Sequence, residues 1–342
     1  MAEKKVTFND IAKYTGFSKT TISRYFNNPE SVTLENQEKI AQALRDLNYQ
    51  ENKLAKVLAN GNSEFIGLII PNLYLHYYSE MLNQLLLTYK EYGYKFLVFS
   101  GTGDEETERQ YMQELLAYKI EGLIILSHTI PSSELAGYGI PIVGIEREDT
   151  YINSVNTDNY LGATQATSIL VRNGCDVLIH INSVTPETTP SYKRIVAFQD
   201  VCEQNKKDYK LYLQPLGDHY TETYDILSRI VEDIEVNYPN QKKGIFISND
   251  TYANILLNII IRKYGTLPGH YRIVGFDGSP IAQDAVIPIT TIGQQIDKIA
   301  KNAMDILVSE MTERKKRRPN LPNQPIHRMV TPVMFRRETT DA

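Results

Sequence analysis

The chain has 342 residues, enough for two or three domains. Its 42% hydrophobic and 23% charged content is ordinary for a soluble globular protein and excludes a fibrous or extensively disordered chain, while its two cysteines, Cys175 and Cys202, exclude a disulfide scaffold and a four-thiolate metal site. The net charge of −5 argues against a nucleic-acid partner only until it is divided: residues 1–60 carry +2 and the remainder −7, a small basic head on an acidic body. MAEKKVTFND lacks an apolar signal-peptide core and no apolar run is long enough for a membrane span, so a cytoplasmic protein with no membrane partner is expected.

Residues 7–15, TFNDIAKYT, offer Thr7 as a cap with Asp10 three residues on, and place Phe8, Ile11 and Ala12 on one helical face. Gly16 ends that helix. Ser18 caps the next, KTTISRYF, which turns Ile22 and Tyr25 or Phe26 inward and stops at Asn27-Asn28-Pro29. Thr33 caps a third helix, striped by Ile40, Leu44 and Leu47. Two helices joined by a turn of about four residues, with small Ala12 at their crossing, predict a helix-turn-helix. Its second helix carries Lys19, Thr20, Thr21, Ser23 and Arg24, side chains that reach base edges in a major groove. Residues 52–59, NKLAKVLA, form a small apolar stripe of Leu54, Ala55, Leu58 and Ala59, too short to hold a helix alone; spacing reads them as a linker ending at Asn60-Gly61-Asn62.

From Glu64 onward, FIGLIIP, YKFLVFSG, EGLIILS, IPIVGIE, CDVLIHIN, YKLYLQ, KGIFISN and RIVGFD read as buried parallel strands, separated by helical stretches such as SEMLNQLLLTYKEYGY and TYANILLNIIIRKYG. This alternation predicts an α/β body of two doubly wound parallel-sheet subdomains, with ligands beyond the carboxyl ends of the strands. The residues that follow the strands are Asn72, Tyr77 and Tyr78; Glu146 and Arg147; the loop to Arg194; Asn249 and Asp250; Asp277; and Gln294. Carboxylates, amides, a guanidinium and tyrosine rings together suit a polyhydroxyl ligand. Each also has a plainer reading: Asn249-Asp250 as a helix cap, Asp277-Gly278 as a turn, Tyr77 and Tyr78 as core. The basic run Arg314–Arg318 reads as a solvated helix end before Pro319.

VTFNDIAKYTGFSKTTISRYFN, LNYQENKLAKVLA, IGLIIPN, IPIVGIERE, SVNTDNYLGATQA, FISND, RIVGFDGSPIA and TTIGQQI, in this order over residues 6 to about 336, resemble the lactose-repressor (LacI/GalR) family of transcription factors. The resemblance implies a head of residues 1–60 with a hinge helix at about 52–59. It implies a periplasmic-binding-protein-like body, 61–342, whose first subdomain spans about 64–161 and 293–323 and whose second spans about 162–292 and 324–340. It implies that Lys19, Thr20 and Arg24 read bases. Thr7, Ser18, Thr21, Ser23 and Asn27 would contact phosphates or sugars, and Ala55 and Leu58 would belong to the hinge, Leu58 wedging into the minor groove. The effector residues it implies are Glu146, Arg194, Asn249 and Asp277, with Tyr77, Tyr78 and Gln294, and with His219 or Tyr220 as a further cleft wall. Four departures stand out: Glu146 for the usual Asp, Ala197 where a glycine follows Arg194, Asn36-Gln37 for Thr-Arg, and Pro190 where purine-responsive members place a polar side chain.

The expected function is a repressor of carbohydrate-utilisation genes. It would bind a pseudo-palindromic double-stranded operator as a homodimer, under control of a sugar or sugar phosphate and without a cofactor or metal. The alternatives within the family are a global regulator controlled by a phosphorylated carrier protein and a purine- or nucleoside-responsive member. An enzyme is not expected: GxSxG, GxxxxGK[S/T] and HExxH are absent, and the six histidines are scattered without metal spacing.

Overall fold

The computed structural model describes residues 6–49, 63–101, 103–147 and 150–341, and the chain divides into two compact units, residues 1–62 and 63–342. No helix among the described residues is long and apolar enough to cross a membrane.

The first unit contains α1 (Phe8–Thr15), α2 (Lys19–Asn27) and α3 (Leu34–Asp46). At the start of α1 the Asp10 carboxylate accepts from the Thr7 backbone N–H at 2.9 Å and from the Thr7 hydroxyl at 2.6 Å, which closes the predicted box from the aspartate's side. Gly16 takes φ +74° and its N–H returns to the Ala12 carbonyl, a left-handed cap that no β-carbon-bearing residue adopts as cheaply. Ser18 Oγ accepts from Thr21 N at 3.1 Å and starts α2. Thr33 occupies the cap position of α3, yet its side chain makes no capping bond. Gln37 instead ties the preceding loop, donating to the Pro29 and Val32 carbonyls at 2.8 Å each. Ile11, Ile22 and Ile40 are fully buried where the three helices meet, and Phe8 stacks on Phe26 with centroids 5.1 Å apart. The hinge stripe containing Ala55 and Leu58 lies outside the described residues.

The second unit holds two six-stranded sheets. In the first lobe, β1 (Phe65–Ile70), β2 (Lys95–Ser100), β3 (Gly122–Ile125), β4 (Ile142–Ile145), β5 (Asn153–Thr157) and β11 (His327–Val330) lie in the order β11-β5-β4-β3-β1-β2, all parallel. In the second lobe, β6 (Val177–Asn182), β7 (Asp208–Leu213), β8 (Lys243–Ile247), β9 (Tyr271–Asp277), β10 (Thr290–Gly293) and β12 (Val333–Phe335) lie in the order β12-β10-β9-β8-β6-β7, with β12 antiparallel at the edge. Both sheets thus repeat one winding order, which reverses at β1/β3 and at β6/β8, and a crevice opens at each reversal.

Apolar layers cover both faces of each sheet. In the first lobe α4 (His76–Leu87) and α13 (Ile296–Arg314) cover one face, α6 (Glu105–Ala117) and α7 (Ser132–Ala136) the other; α5 (Tyr89–Tyr92) is a single turn after α4. In the second lobe α10 (Tyr220–Asn237) and α11 (Asp250–Tyr264) cover one face, α8 (Asn159–Arg172) and α9 (Lys193–Gln204) the other, and α12 (Pro280–Asp284) is short.

The chain passes between lobes after β5, after β10 and between β11 and β12. The third passage corrects the expected division at 323/324. His327–Val330 adds to β5 of the first sheet, flanked by Ser154 N–H to the Ile326 carbonyl and Asp158 N–H to the Val330 carbonyl. The first lobe therefore runs on to Val330 and the second resumes at Val333. β5, β10, β11 and β12 were not among the strands read from apolar runs, because NSVNT, TTIG, HRMV and VMF are polar or very short.

Candidate functional site

α2 presents Lys19, Thr20, Arg24 and Asn27 exposed, beside half-buried Thr21 and Ser23, while Ile22 is locked in the core. A helix held by one buried isoleucine and aimed by its Ser18 cap offers the opposite, polar face as a rigid unit. Ser18 and Thr7 are exposed at the starts of α2 and α1. Asn27 Nδ2 donates to Ser23 Oγ at 3.2 Å, so these two share one hydrogen-bonded step of the helix.

In the body, the residues after the strands converge on a cavity of about 190 Å³ between the lobes. Tyr77, Tyr78, Glu146, Arg194, Asn249, Asp277 and Gln294 all line it. Glu146 and Asp277 adopt φ +57° and +109°, backbone conformations that side-chain-bearing residues rarely take. That turn separates Glu146 from its neighbour. Glu146 Oε1 accepts from Thr157 N at 2.6 Å and Oε2 from Asn159 Nδ2 at 2.8 Å. Arg147 is carried away from the cavity and donates to Ser132 Oγ and to the Ser127 and Ile130 carbonyls, bracing a first-lobe loop.

Arg194 donates through Nε to Asn159 Oδ1 at 2.6 Å and through Nη1 to the Ser248 carbonyl at 2.8 Å, and its guanidinium lies 3.6 Å from the Phe276 ring centroid. Gln294 donates from Nε2 to Asp277 Oδ1 at 2.6 Å and accepts at Oε1 from the Thr157 hydroxyl at 2.6 Å. Asn249 Oδ1 caps α11 by accepting from Tyr252 N at 2.9 Å, and the residue also lines the cavity. Tyr77 and Tyr78 meet edge to face at 5.3 Å, and the buried Tyr77 hydroxyl has no hydrogen-bond partner among the described residues.

Burial holds the Asp277 carboxyl well above the usual carboxylate range; Arg194 pulls it down, while Asp250 and Glu146 push it up. Burial raises the hydroxyls of Tyr77 and Tyr78 in the same way, so both remain donors. His128, which also lines the cavity, is pushed down to about 4 by burial and by nearby Arg147, and is neutral. Arg194 is thus the one cation among the described residues of a cavity with two carboxyl groups.

The lobes are also clasped directly. Tyr74 Oη donates to Thr223 Oγ1 at 3.1 Å, His76 N donates to Thr251 Oγ1 at 3.0 Å, and Tyr74 and Leu75 pack on the second-lobe core. Residues missed by sequence reasoning include His128, Asn182, Ser183, Ser191, Ser248 and Tyr252. The rule of looking just past a strand reaches His128, Asn182, Ser183 and Ser248; Ser191 lies in the short 3-10 helix Pro190–Tyr192 and Tyr252 in the first turn of α11, and only packing brings these two inward. His219 and Tyr220 do not line the cavity; both are exposed, and His219 clusters with Asp218 and Glu222 at the surface. Pro190 does not line it either.

Three family descriptions match the chain: "Bacterial regulatory proteins, lacI family" over residues 7–52, "Periplasmic binding proteins and sugar binding domain of LacI family" over 63–213, and "Periplasmic binding protein-like domain" over 167–338. A sucrose operon repressor of Pediococcus pentosaceus is 28% identical over 315 residues, covering 90% of this chain and 93% of that one. A ribose operon repressor of Halalkalibacterium halodurans is 28% identical over 312 residues, covering 90% and 91%. The structure of the lac repressor dimer bound to operator and the anti-inducer ONPF superposes with a TM-score of 0.82 at 21% identity, over 99% of this chain and 100% of that chain. Head, body and their order along the sequence agree, and the chain belongs to the lacI family of bacterial regulatory proteins.

Proposed function

We propose that this protein is a dimeric, sequence-specific DNA-binding repressor of carbohydrate-utilisation genes. Its operator affinity is set by a small uncharged sugar held between the lobes. The operon repressors among its relatives support the regulatory role. The cavity supports the ligand class, and its charge balance carries that argument. Two buried carboxyl groups, Glu146 and Asp277, face a single guanidinium, of which Asn159 and Ser248 take two N–H groups and Phe276 the face. A phosphate dianion would meet one cation beside Glu146, whereas hydroxyls find an acceptor in Glu146 and donors in Arg194, the tyrosines and the Asp277 carboxyl that burial holds toward its neutral form. The Tyr77 hydroxyl and the Asn249 amide nitrogen, neither engaged among the described residues, suit a polyol. About 190 Å³, roughly six water volumes, suits a single sugar ring.

In this reading Lys19, Thr20 and Arg24 read bases, Thr7, Ser18, Thr21, Ser23 and Asn27 grip the backbone, and Ala55 and Leu58 form the hinge. The effector acts through its differential affinity for two arrangements of the lobes. Those arrangements differ in the Tyr74–Thr223 and His76–Thr251 clasps and in the crossings at Thr157 and Gln294.

Thermal melting of the purified protein with ribose, fructose, sucrose and the corresponding sugar phosphates tests this. A ligand at about 100-fold its dissociation constant stabilises by about 2.7 kcal/mol. One neutral sugar should raise the midpoint, and Asp277→Ala should abolish the rise. A rise with phosphorylated sugars alone, or with purines alone, refutes the ligand class.

A further inference from the structure

The basic run Arg314–Arg318 acquires a second role from its place in the fold. α13 ends at Arg314, at the amino ends of the first-lobe strands, where the described body also begins. There Ser63 Oγ donates to the Lys119 carbonyl at 2.5 Å, and Glu64 N donates to Glu121 Oε1 at 2.7 Å. The other Glu121 oxygen takes Lys315 Nζ at 2.5 Å, and Glu64 pairs with Lys95 at 3.0 Å. The run is therefore one carboxylate away from the point where the chain enters the body from the DNA-reading head. Arg314, Lys315 and Lys316 are matched by Glu310, Glu121 and Glu313. Exposed Lys119, Arg317 and Arg318 have no ion-pair partner among the described residues. This is a local excess of positive charge on a body that is otherwise acidic.

We propose that Lys119, Arg317 and Arg318 form a second DNA contact, a sequence-independent grip on the phosphate backbone that flanks the operator. The proposal rests on the DNA-binding reading above. Positions 50–62, which join the head to this face, span no more than about 45 Å even fully extended. That reach exceeds one duplex turn, about 35 Å, so phosphates flanking the operator are within range of the same molecule. Arginine forks match phosphate oxygens, and each neutralised phosphate releases counterions. α13 has already ended at Arg314, and Arg317 and Arg318 stand on an exposed bend before Pro319.

The test uses the full-length protein and a duplex that it enriches from a randomised pool. One form is trimmed to the palindrome; the other carries about one extra helical turn on each side. For Arg317→Ala/Arg318→Ala, the slope of log affinity against log salt should flatten by about 1.8 per contacting protomer on the flanked duplex. It should not change on the trimmed one. Lys210→Ala/Arg229→Ala, exposed second-lobe cations changed by the same total charge, should leave both slopes alone. Identical wild-type and variant slopes on the flanked duplex overturn the contact, as does equal flattening in the control. If the wild type enriches no sequence, or Arg24→Ala leaves enrichment untouched, the DNA-reading function itself fails and this inference falls with it.

Discussion

Replacing Arg194 by Met removes the cavity's cation while keeping an unbranched stem over Phe276. The loss comprises two charge-assisted hydrogen bonds, to Asn159 Oδ1 and the Ser248 carbonyl, and the cation over the Phe276 ring at 3.6 Å. Such bonds contribute about 1.5–3 kcal/mol each, and a desolvated cation–π contact about 2 kcal/mol. The thioether restores about 1 kcal/mol of aromatic contact. Asn159 also loses the acceptor role that holds it against Glu146, so that carboxylate loosens as well. Together these give a net cost of about 4–7 kcal/mol, at or above the about 3–5 kcal/mol of removing one partner of a buried charged pair. At about 2–4 °C per kcal/mol this lowers the melting midpoint by roughly 10–20 °C.

The loss should depend on pH. Asp277 titrates above its unfolded value, so the folded state holds more protons, and its contribution to stability falls as pH rises through that interval. Arg194 lowers this carboxyl, so its removal lifts the folded value further and widens the interval. The melting deficit of Arg194→Met must therefore be larger at about pH 8 than at about pH 5. Calorimetry of both proteins at the two pH values decides it. A midpoint within about 2 °C of wild type, or a deficit that shrinks as pH rises, refutes the reasoning.

Ile22→Ala opens a hole in the small head core at a cost of about 2–5 kcal/mol, so operator binding should collapse in a gel-shift assay while sugar-induced stabilisation of the body persists. Gly278→Ala places a β-carbon 2.6 Å from the Gly293 backbone at φ +69°; a cost above about 1 kcal/mol and a displaced Asp277 should appear as a lower midpoint and weaker calorimetric sugar binding. Thr251→Val removes the acceptor of the His76 amide, and with about 1–3 kcal/mol less clasp the bound sugar should leave faster in stopped-flow competition. Leu58→Ala should lower operator affinity and DNA bending while sugar binding stays unchanged; intact bending rejects the wedge.

Much of the architecture is legible because it follows from local periodicity. The Thr7–Asp10 box, Gly16, the Ser18 cap and the stripe of Ile11, Ile22 and Ile40 belong to segments a few residues long, and each can be read from its own neighbourhood. The apolar runs in the body mark buried parallel strands in the same way, and the polar residues just after them must line whatever crevice the winding leaves. That rule reaches Glu146, Asn249, Asp277 and Gln294 directly, while Tyr77, Tyr78 and Arg194 lie farther on, inside α4 and α9.

What periodicity could not supply is set by contacts between residues far apart in the chain. NSVNT carries no apolar signal, yet it is a sheet strand because β4 and His327–Val330 satisfy its backbone from both sides. Glu146 and Arg147 are adjacent and equally polar, and a left-handed turn sends one into the cavity and the other to the Ser127–Ser132 loop. The place of the cavity's one guanidinium depends on Asn159 and Ser248 having engaged Arg194, separations of 35 and 54 residues. A run of five basic residues reads the same in any solvated tail; only Glu121, Glu64 and Ser63 place it beside the chain's entry into the body. Helix and strand patterns record which face of a segment avoids water, and they carry no record of which distant group will meet that face.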